Sequence, residues 1–284
     1  MLYHAFPNLQ WLKHQAETRF REGKAWNGET IGGKGWPNVV LNVSSGRTLR
    51  DDIPGPLSIF SNTSGVSEVT VDNRTTVIGD DYFFISNNTQ RYTLEIPKKA
   101  GTFNIHFGEQ WAPADFYNKL YPKDDVVKAL QRELAAPDIT TLEREEVLTR
   151  LMAYLVRVHR GERTKLEHIN GIKASTREEI LRRLHLATDH IYSNYSSDIS
   201  LDDLSKVSML SKFHFLRMFQ QAFGISPHKF LNNVRLRKAK ELLTGTDLNV
   251  TGIGRAIGMN DPSSFSRLFR RETGVYPTVF RASH

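Results

Sequence analysis

The spacing of apolar and polar positions along the 284-residue chain changes character twice. From Val39 to Phe107 the apolar residues fall in short β-rich runs, 39–43, 67–71, 74–78, 81–85 and 102–106, broken by turn residues. Asp72-Asn73 suits a tight hairpin turn between two of these runs, and Gly79-Asp80 ends the next. Short strands at this spacing predict a sandwich or small barrel. The first two dozen residues read as a polar arm, helical over 8–21. After Pro113 the period becomes helical. Val126, Val127, Leu130 and Leu134 form one stripe, and Leu148, Leu151, Met152 and Leu155 form another at i, i+3, i+4, i+7. Ala135-Ala136-Pro137-Asp138 separates them, which predicts an antiparallel helical pair. Such stripes pack on their own domain or, on a sharper reading, form a dimer surface.

The polar stretch 161–174 reads as a linker, and from Ser175 onward the pattern is all helix. The expected organisation is therefore α+β in two domains. Residues 1–160 form a β-rich sandwich or barrel with a helical pair, and 175–284 form an all-α domain.

The helical part repeats itself. At an offset of 50, Phe215, Arg217, Met218 and Phe219 match Phe265, Arg267, Leu268 and Phe269, and Gly224, Ile225, Pro227 and Phe230 match Gly274, Val275, Pro277 and Phe280. Upstream the offset is 49, pairing Leu201, Leu204, Val207 and Leu210 with Val250, Ile253, Ala256 and Met259. Each copy, about 200–222 and 249–272, has the layout of helix, tight turn, helix. Ser200 with Asp203 forms a capping-box variant, and Ser211 caps the second helix after a turn near 208–210. In the second copy Gly258 stops the first helix, and Asp261-Pro262 supplies a cap followed by Pro at the first helical position.

The second helix of each copy divides by face. Phe215, Met218, Phe219 and Ala222 point to a core, with Phe213, Leu216, Arg217 and Gln220 opposite. In the repeat, Phe265, Leu268 and Phe269 face inward and Ser263, Ser266, Arg267 and Arg270 outward. A helix packed on one side and carrying Arg and short polar groups on the other suits a major groove. There Arg pairs with guanine, Ser bonds base edges and Phe touches a thymine methyl. The bland alternative is a helical bundle with solvated Arg and Ser. Charge favours the groove: residues 204–284 hold 13 Lys+Arg against 4 Asp+Glu, a net +9 in a chain whose total is +7. A cationic concentration of this kind marks a polyanion-binding module.

These residues resemble the AraC/XylS family of bacterial transcription regulators. The likeness runs through 204–219, the central-helix run 234–243, and 257–259 with 263–271 and 273–277. It implies that Phe213, Leu216 and Arg217 face the groove in the first unit, and Pro262, Ser263, Ser266 and Arg267 in the second. Lys212, Lys229 and the central-helix cations are then placed for phosphates. Two features depart from the pattern. Leu216 stands where a hydrogen-bonding residue is usual, and Gly252 and Gly254 are expected to soften the helix that carries them. More weakly, the N-terminal half resembles the cupin-like sensor domains of that family. This implies a homodimer, a small-molecule effector of unspecified identity, and, for an activator, contact with RNA polymerase beside double-stranded DNA. Trp11, Trp26, Trp36 and Trp111 all lie in this half, where they suit a core or an aromatic ligand platform.

Two other classes share these features: a cupin-type metal-dependent enzyme fused to a DNA-binding domain, and a constitutive DNA-binding protein without a ligand. The ten His show no H-x-H or H-E-x-x-H grouping, and His106 alone sits on a confident strand. There is no Gly-rich phosphate loop or nucleophile elbow. No catalytic residue, cofactor or metal ligand is therefore expected. With no cysteine, no signal-peptide pattern and no bilayer-length apolar run, a cytoplasmic location is the expectation.

Overall fold

The computed structural model describes residues 2–4, 38–43, 48–54, 56–87, 90–107, 115–171 and 173–283. They divide into two compact units, Met1–Thr164 and Lys165–His284. The helical arm expected over 8–21 and all four Trp lie outside the described residues.

The first unit contains two antiparallel sheets. The larger has the order β1 (Leu2–His4), β2 (Asn38–Val43), β9 (Gly101–His106), β4 (Ser58–Ser64), β7 (Tyr82–Ser86), β10 (Leu120–Pro122). The smaller has the order β3 (Thr48–Pro54), β8 (Arg91–Ile96), β5 (Ser67–Val71), β6 (Arg74–Ile78). The expected hairpin is present: β5 pairs with β6, and Asp72 and Asn73 take φ of 51° and 60°, as a two-residue primed turn requires. Ile59, Ile85, Phe103 and Ile105 pack against α1 (Asp125–Leu134) and α2 (Thr141–His168). Alternate residues of the same strands face the other way, where the Phe60 and Tyr92 rings meet at 4.8 Å. Strands β4 and β9 are thus covered on both faces. That is why β4, with the run Ser-Ile-Phe-Ser-Asn, shows no alternation in sequence.

Its polar groups are bonded internally. Ser61 Oγ donates to the Phe103 carbonyl, Asn62 Nδ2 to that of Ile78, and Ser67 Oγ to Asn62 Oδ1. His106 is packed inside, with Nδ1 3.0 Å from Ser58 Oγ.

Two expectations about the helices change. Val126 is exposed, so the inner stripe of α1 is Val127, Leu130 and Leu134. Helix α2 is 28 residues long and continues to His168, so the first part of the stretch read as linker is helical. The Arg, Glu and Lys residues around Gly161 are good helix formers and outweigh a single glycine. Glu133 near the end of α1 pairs with Arg150, while Asp124 at its start accepts from Tyr154 Oη, so the two helices run in opposite senses.

The second unit contains α3 (Ala174–Asn194), α4 (Leu201–Val207), α5 (Lys212–Phe223), α6 (Pro227–Gly245), α7 (Val250–Ala256), α8 (Pro262–Thr273) and α9 (Pro277–Ala282). Its core repeats with the sequence. Phe215 and Phe219 lie 5.4 Å apart, and Phe265 and Phe269 lie 5.8 Å apart. Each pair is closed by a ring fifty positions from its counterpart, Phe230 against Phe219 at 5.6 Å and Phe280 against Phe269 at 5.5 Å.

Lys123 lies buried against the β-rich unit and donates to the Asn62 carbonyl. Burial pushes its pKa down to about 8, against the opposing pull of Asp80 and Asp81. Between that value and its ordinary 10.5 the unfolded chain holds the extra proton, so stability rises with pH across this window. Urea unfolding followed by Trp fluorescence should show the rise, at most about 3 kcal/mol, and Lys123→Met should flatten it. In the helical unit, Gly274→Ala meets open space at φ +82° and should cost about 1 kcal/mol. Gly258→Ala places its Cβ 2.4 Å from the Ser196 carbonyl oxygen and should cost about 3 kcal/mol, read from circular-dichroism melts.

Candidate nucleic-acid interface

The C-terminal unit contains two helix pairs, α4–α5 and α7–α8, with matching turns. In each turn one residue is left-handed, Met209 at φ 53° and Gly258 at φ 76°. The same backbone bond closes each turn: Leu210 N donates to the Ser205 carbonyl at 3.1 Å, and Met259 N to that of Gly254 at 2.8 Å. The caps are as the sequence predicts. Ser200 and Asp203 form a reciprocal capping box, Ser211 accepts from His214 N, and Asp261 accepts from Ser263 N and Ser264 N. Gly224 and Gly274 end α5 and α8 in the left-handed conformation.

Gly254 has a role the sequence reading did not assign. A Cβ there would lie 3.0 Å from the Met259 carbonyl oxygen and 3.5 Å from the Phe265 ring, so the glycine lets α7 approach its own turn and α8. Gly252 donates its N–H to the Asn249 cap. The helix carrying these glycines is anchored at both ends.

Burial of the Phe pairs decides which side of α5 and α8 faces solvent. Phe215, Met218, Phe219 and Ala222 are buried on α5, and Phe265, Leu268 and Phe269 on α8. The expected outer positions Phe213, Leu216, Arg217 and Gln220 are exposed, as are Pro262, Ser263, Arg267 and Arg270, with Ser266 half-buried. Phe213 is 92% exposed, an unusual setting for an aromatic ring on a well-packed domain.

The cations differ in how they are held. Arg267 Nη2 reaches Ser264 Oγ at 3.3 Å and lies 3.9 Å from Asp261 Oδ2. Hydrogen bonds from the Ser264 hydroxyl and from the Ser263 and Ser264 N–H groups hold the Asp261 carboxyl below its usual pKa. A pair this exposed is screened by solvent and contributes little, so Arg267 can exchange it for a base edge or phosphate. Arg270 bonds Tyr276 Oη at 2.7 Å and stacks on its ring, Lys212 pairs with Asp202, and Lys229 pairs with Glu272 at 2.5 Å. On the central helix α6, Lys238 pairs with Glu241 at 3.5 Å.

Arg235 departs from the phosphate-facing role expected of the central-helix cations. It is half-buried, with Nε donating to the Tyr195 carbonyl at 2.8 Å and Nη2 to that of Ser197 at 2.9 Å. Burial lowers its pKa, opposed by Asp198. Arg183 and Arg281 do similar work, donating to Met209 O and to Leu243 O and Leu248 O. Sequence reasoning missed these three residues because their partners are backbone carbonyls 26 to 40 positions away, which leave no side-chain pattern. Part of the +9 excess therefore closes carbonyls inside the fold.

Comparison with known proteins matches residues 204–283 to the helix-turn-helix domain family. The raffinose operon transcriptional regulatory protein RafR of Pediococcus pentosaceus is 30% identical over 40% of this chain and 39% of its own length. The lactose operon transcription activator of Staphylococcus xylosus is 26% identical over 46% of each. A solved structure from Chromobacterium violaceum, a transcriptional regulator described as AraC-type DNA-binding domain-containing, is 27% identical over 39% of this chain and 95% of that one, with TM-score 0.35. The chain spans from 30 to 53% of the length of the curated relatives it matches. The domain match and these operon regulators, joined to the motifs at 204–219, 234–243 and 257–277, identify the C-terminal segment as a helix-turn-helix domain similar to those of AraC/XylS-type transcription regulators.

Proposed function

We propose that the protein is a sequence-specific, double-stranded-DNA-binding transcription regulator that reads two half-sites with α5 and α8. The observation that carries this reading is the repeated exposure of Arg217 and Arg267, fifty residues apart, on the faces opposite the buried Phe pairs. Side chains held this way by a rigid core can enter successive major-groove faces, about 34 Å apart along the duplex. Phe213, Leu216 and Gln220 accompany Arg217; Pro262, Ser263, Ser266 and Arg270 accompany Arg267. Lys212 and Lys229 serve phosphates after exchanging their carboxylate partners, which positions the protein without reading sequence.

The two-sheet unit with its helical pair is, on this reading, a cupin-like domain, with residues 1–160 sensing a small molecule and dimerising and 161–174 joining it to the DNA-binding domain. The presence of an operon activator among the relatives supports an activator role with RNA polymerase as a partner. No described helix is long and apolar enough to cross a membrane. Among the described residues no group of three or more His, Asp or Glu side chains is placed to hold a metal ion.

Selection of bound duplexes from a random pool, with and without cell metabolites, should recover a bipartite motif; no enrichment would overturn the proposal. Arg267→Ala and Arg217→Ala should each weaken binding to the selected duplex by about 1–3 kcal/mol and relax preference at one position. If both variants bind it as the wild type does, the assignment of these arginines is wrong. Affinity should also fall steeply between 50 and 200 mM salt, in proportion to the phosphates neutralised.

A further inference from the structure

Loop 195–197 leaves α3 and leads, through the Ser200 cap, into α4, so it belongs with the first helix pair. Its three residues are contacted from two other places. Arg235, midway along α6, spans the Tyr195 and Ser197 carbonyls with one guanidinium, Nε to the first and Nη2 to the second. The residue between them, Ser196, lies under the turn of the second pair. A Cβ on Gly258 would be 2.4 Å from Ser196 O, 2.7 Å from its carbonyl carbon and 3.0 Å from its Cα. The two backbones therefore touch directly, with no side chain between them to take up play. The first pair has no such seat: Met209, at the equivalent left-handed position, carries a side chain that is 59% exposed. From the other side, Arg183 of α3 bonds Met209 O at 3.2 Å, fastening that turn to the helix from which the loop emerges.

We infer that loop 195–197 is a spacer that fixes the separation and rotation of α5 and α8, with Arg235 and Gly258 as its positioning residues, so that the protein accepts half-sites at one spacing only. The inference rests on the reading of α5 and α8 as DNA-reading helices. Each base pair inserted between half-sites moves the second by about 3.4 Å and turns it by about a tenth of a helical repeat. A joint built from backbone contact and a planar two-carbonyl fork cannot follow that movement. Lysine at 235 keeps the charge but is a point donor that cannot hold two carbonyls in one plane.

The test titrates the 284-residue chain against the selected bipartite duplex at its own spacing and with one base pair removed or added between the halves. The wild type should lose about tenfold or more in affinity on either change, since only one half-site is then engaged in register. Arg235→Lys and Gly258→Ala should narrow that loss to about threefold or less, while salt dependence stays that of the wild type. A general loss of stability would lower affinity at every spacing alike and leave the ratios unchanged, so the spacing profile separates positioning from folding. A cooperative melt is required of each variant, and Arg235→Lys carries the test if Gly258→Ala does not fold. A wild type indifferent to spacing, or a folded Arg235→Lys with the wild-type profile, overturns the inference. Failure to select any duplex would instead overturn the DNA-reading proposal.

Discussion

The C-terminal unit depends on two phenylalanines one helical turn apart, used twice. Phe215 with Phe219 and Phe265 with Phe269 fill the space between paired helices, and Phe230 and Phe280 close each cluster edge-on. Aromatic groups of this size dominate a small core. Once both rings of a pair are inside, the helix cannot rotate, and the residue between them, Arg217 or Arg267, points to solvent. Exposure of the charged face thus follows from burial of the aromatic one.

The two pairs share this core logic but not their outer chemistry. Helix α5 begins with a nearly fully exposed Phe213 followed by Leu216, where α8 has Ser263 and Ser266. The second helix begins with a stronger cap, Asp261 accepting two N–H groups where Ser211 accepts one. The glycines of α7, which by composition weaken a helix, allow closer packing and a capped start. Local propensity and tertiary need oppose each other there, and the close approach to Phe265 explains the choice at Gly254.

The basic character of the C-terminal unit is shared between two tasks. Arg183, Arg235 and Arg281 satisfy carbonyls at loop and helix ends, where an unpaired acceptor would be costly. Arg217 and Arg267 stay available at the surface. In the first unit, burial of Lys123 against the Asn62 carbonyl is another case of a cation used within the fold. Net charge suggested a polyanionic partner, but part of that charge is held within the fold.

What the sequence determined alone was everything governed by short-range geometry. The caps at Ser200, Ser211 and Asp261, the glycine stops at 224, 258 and 274 and the inward faces of α5 and α8 depend on neighbours within a turn or two, and these were legible, as was the 50-residue repeat on comparing the chain with itself. The β5–β6 hairpin was legible for the same reason. Tertiary structure decided the rest. Strand β4 is buried on both faces, which erases alternation, and Ser61 and Asn62 bond carbonyls on distant strands, those of Phe103 and Ile78. The helical run through 161–168 was hidden because its polar composition suits a linker and an exposed helix equally. The seating of Gly258 on Ser196 and the fork of Arg235 over loop 195–197 both end on backbone atoms about forty to sixty residues away. Backbone contacts carry no side-chain signature, so only the folded chain could show that the two helix pairs are held against one another.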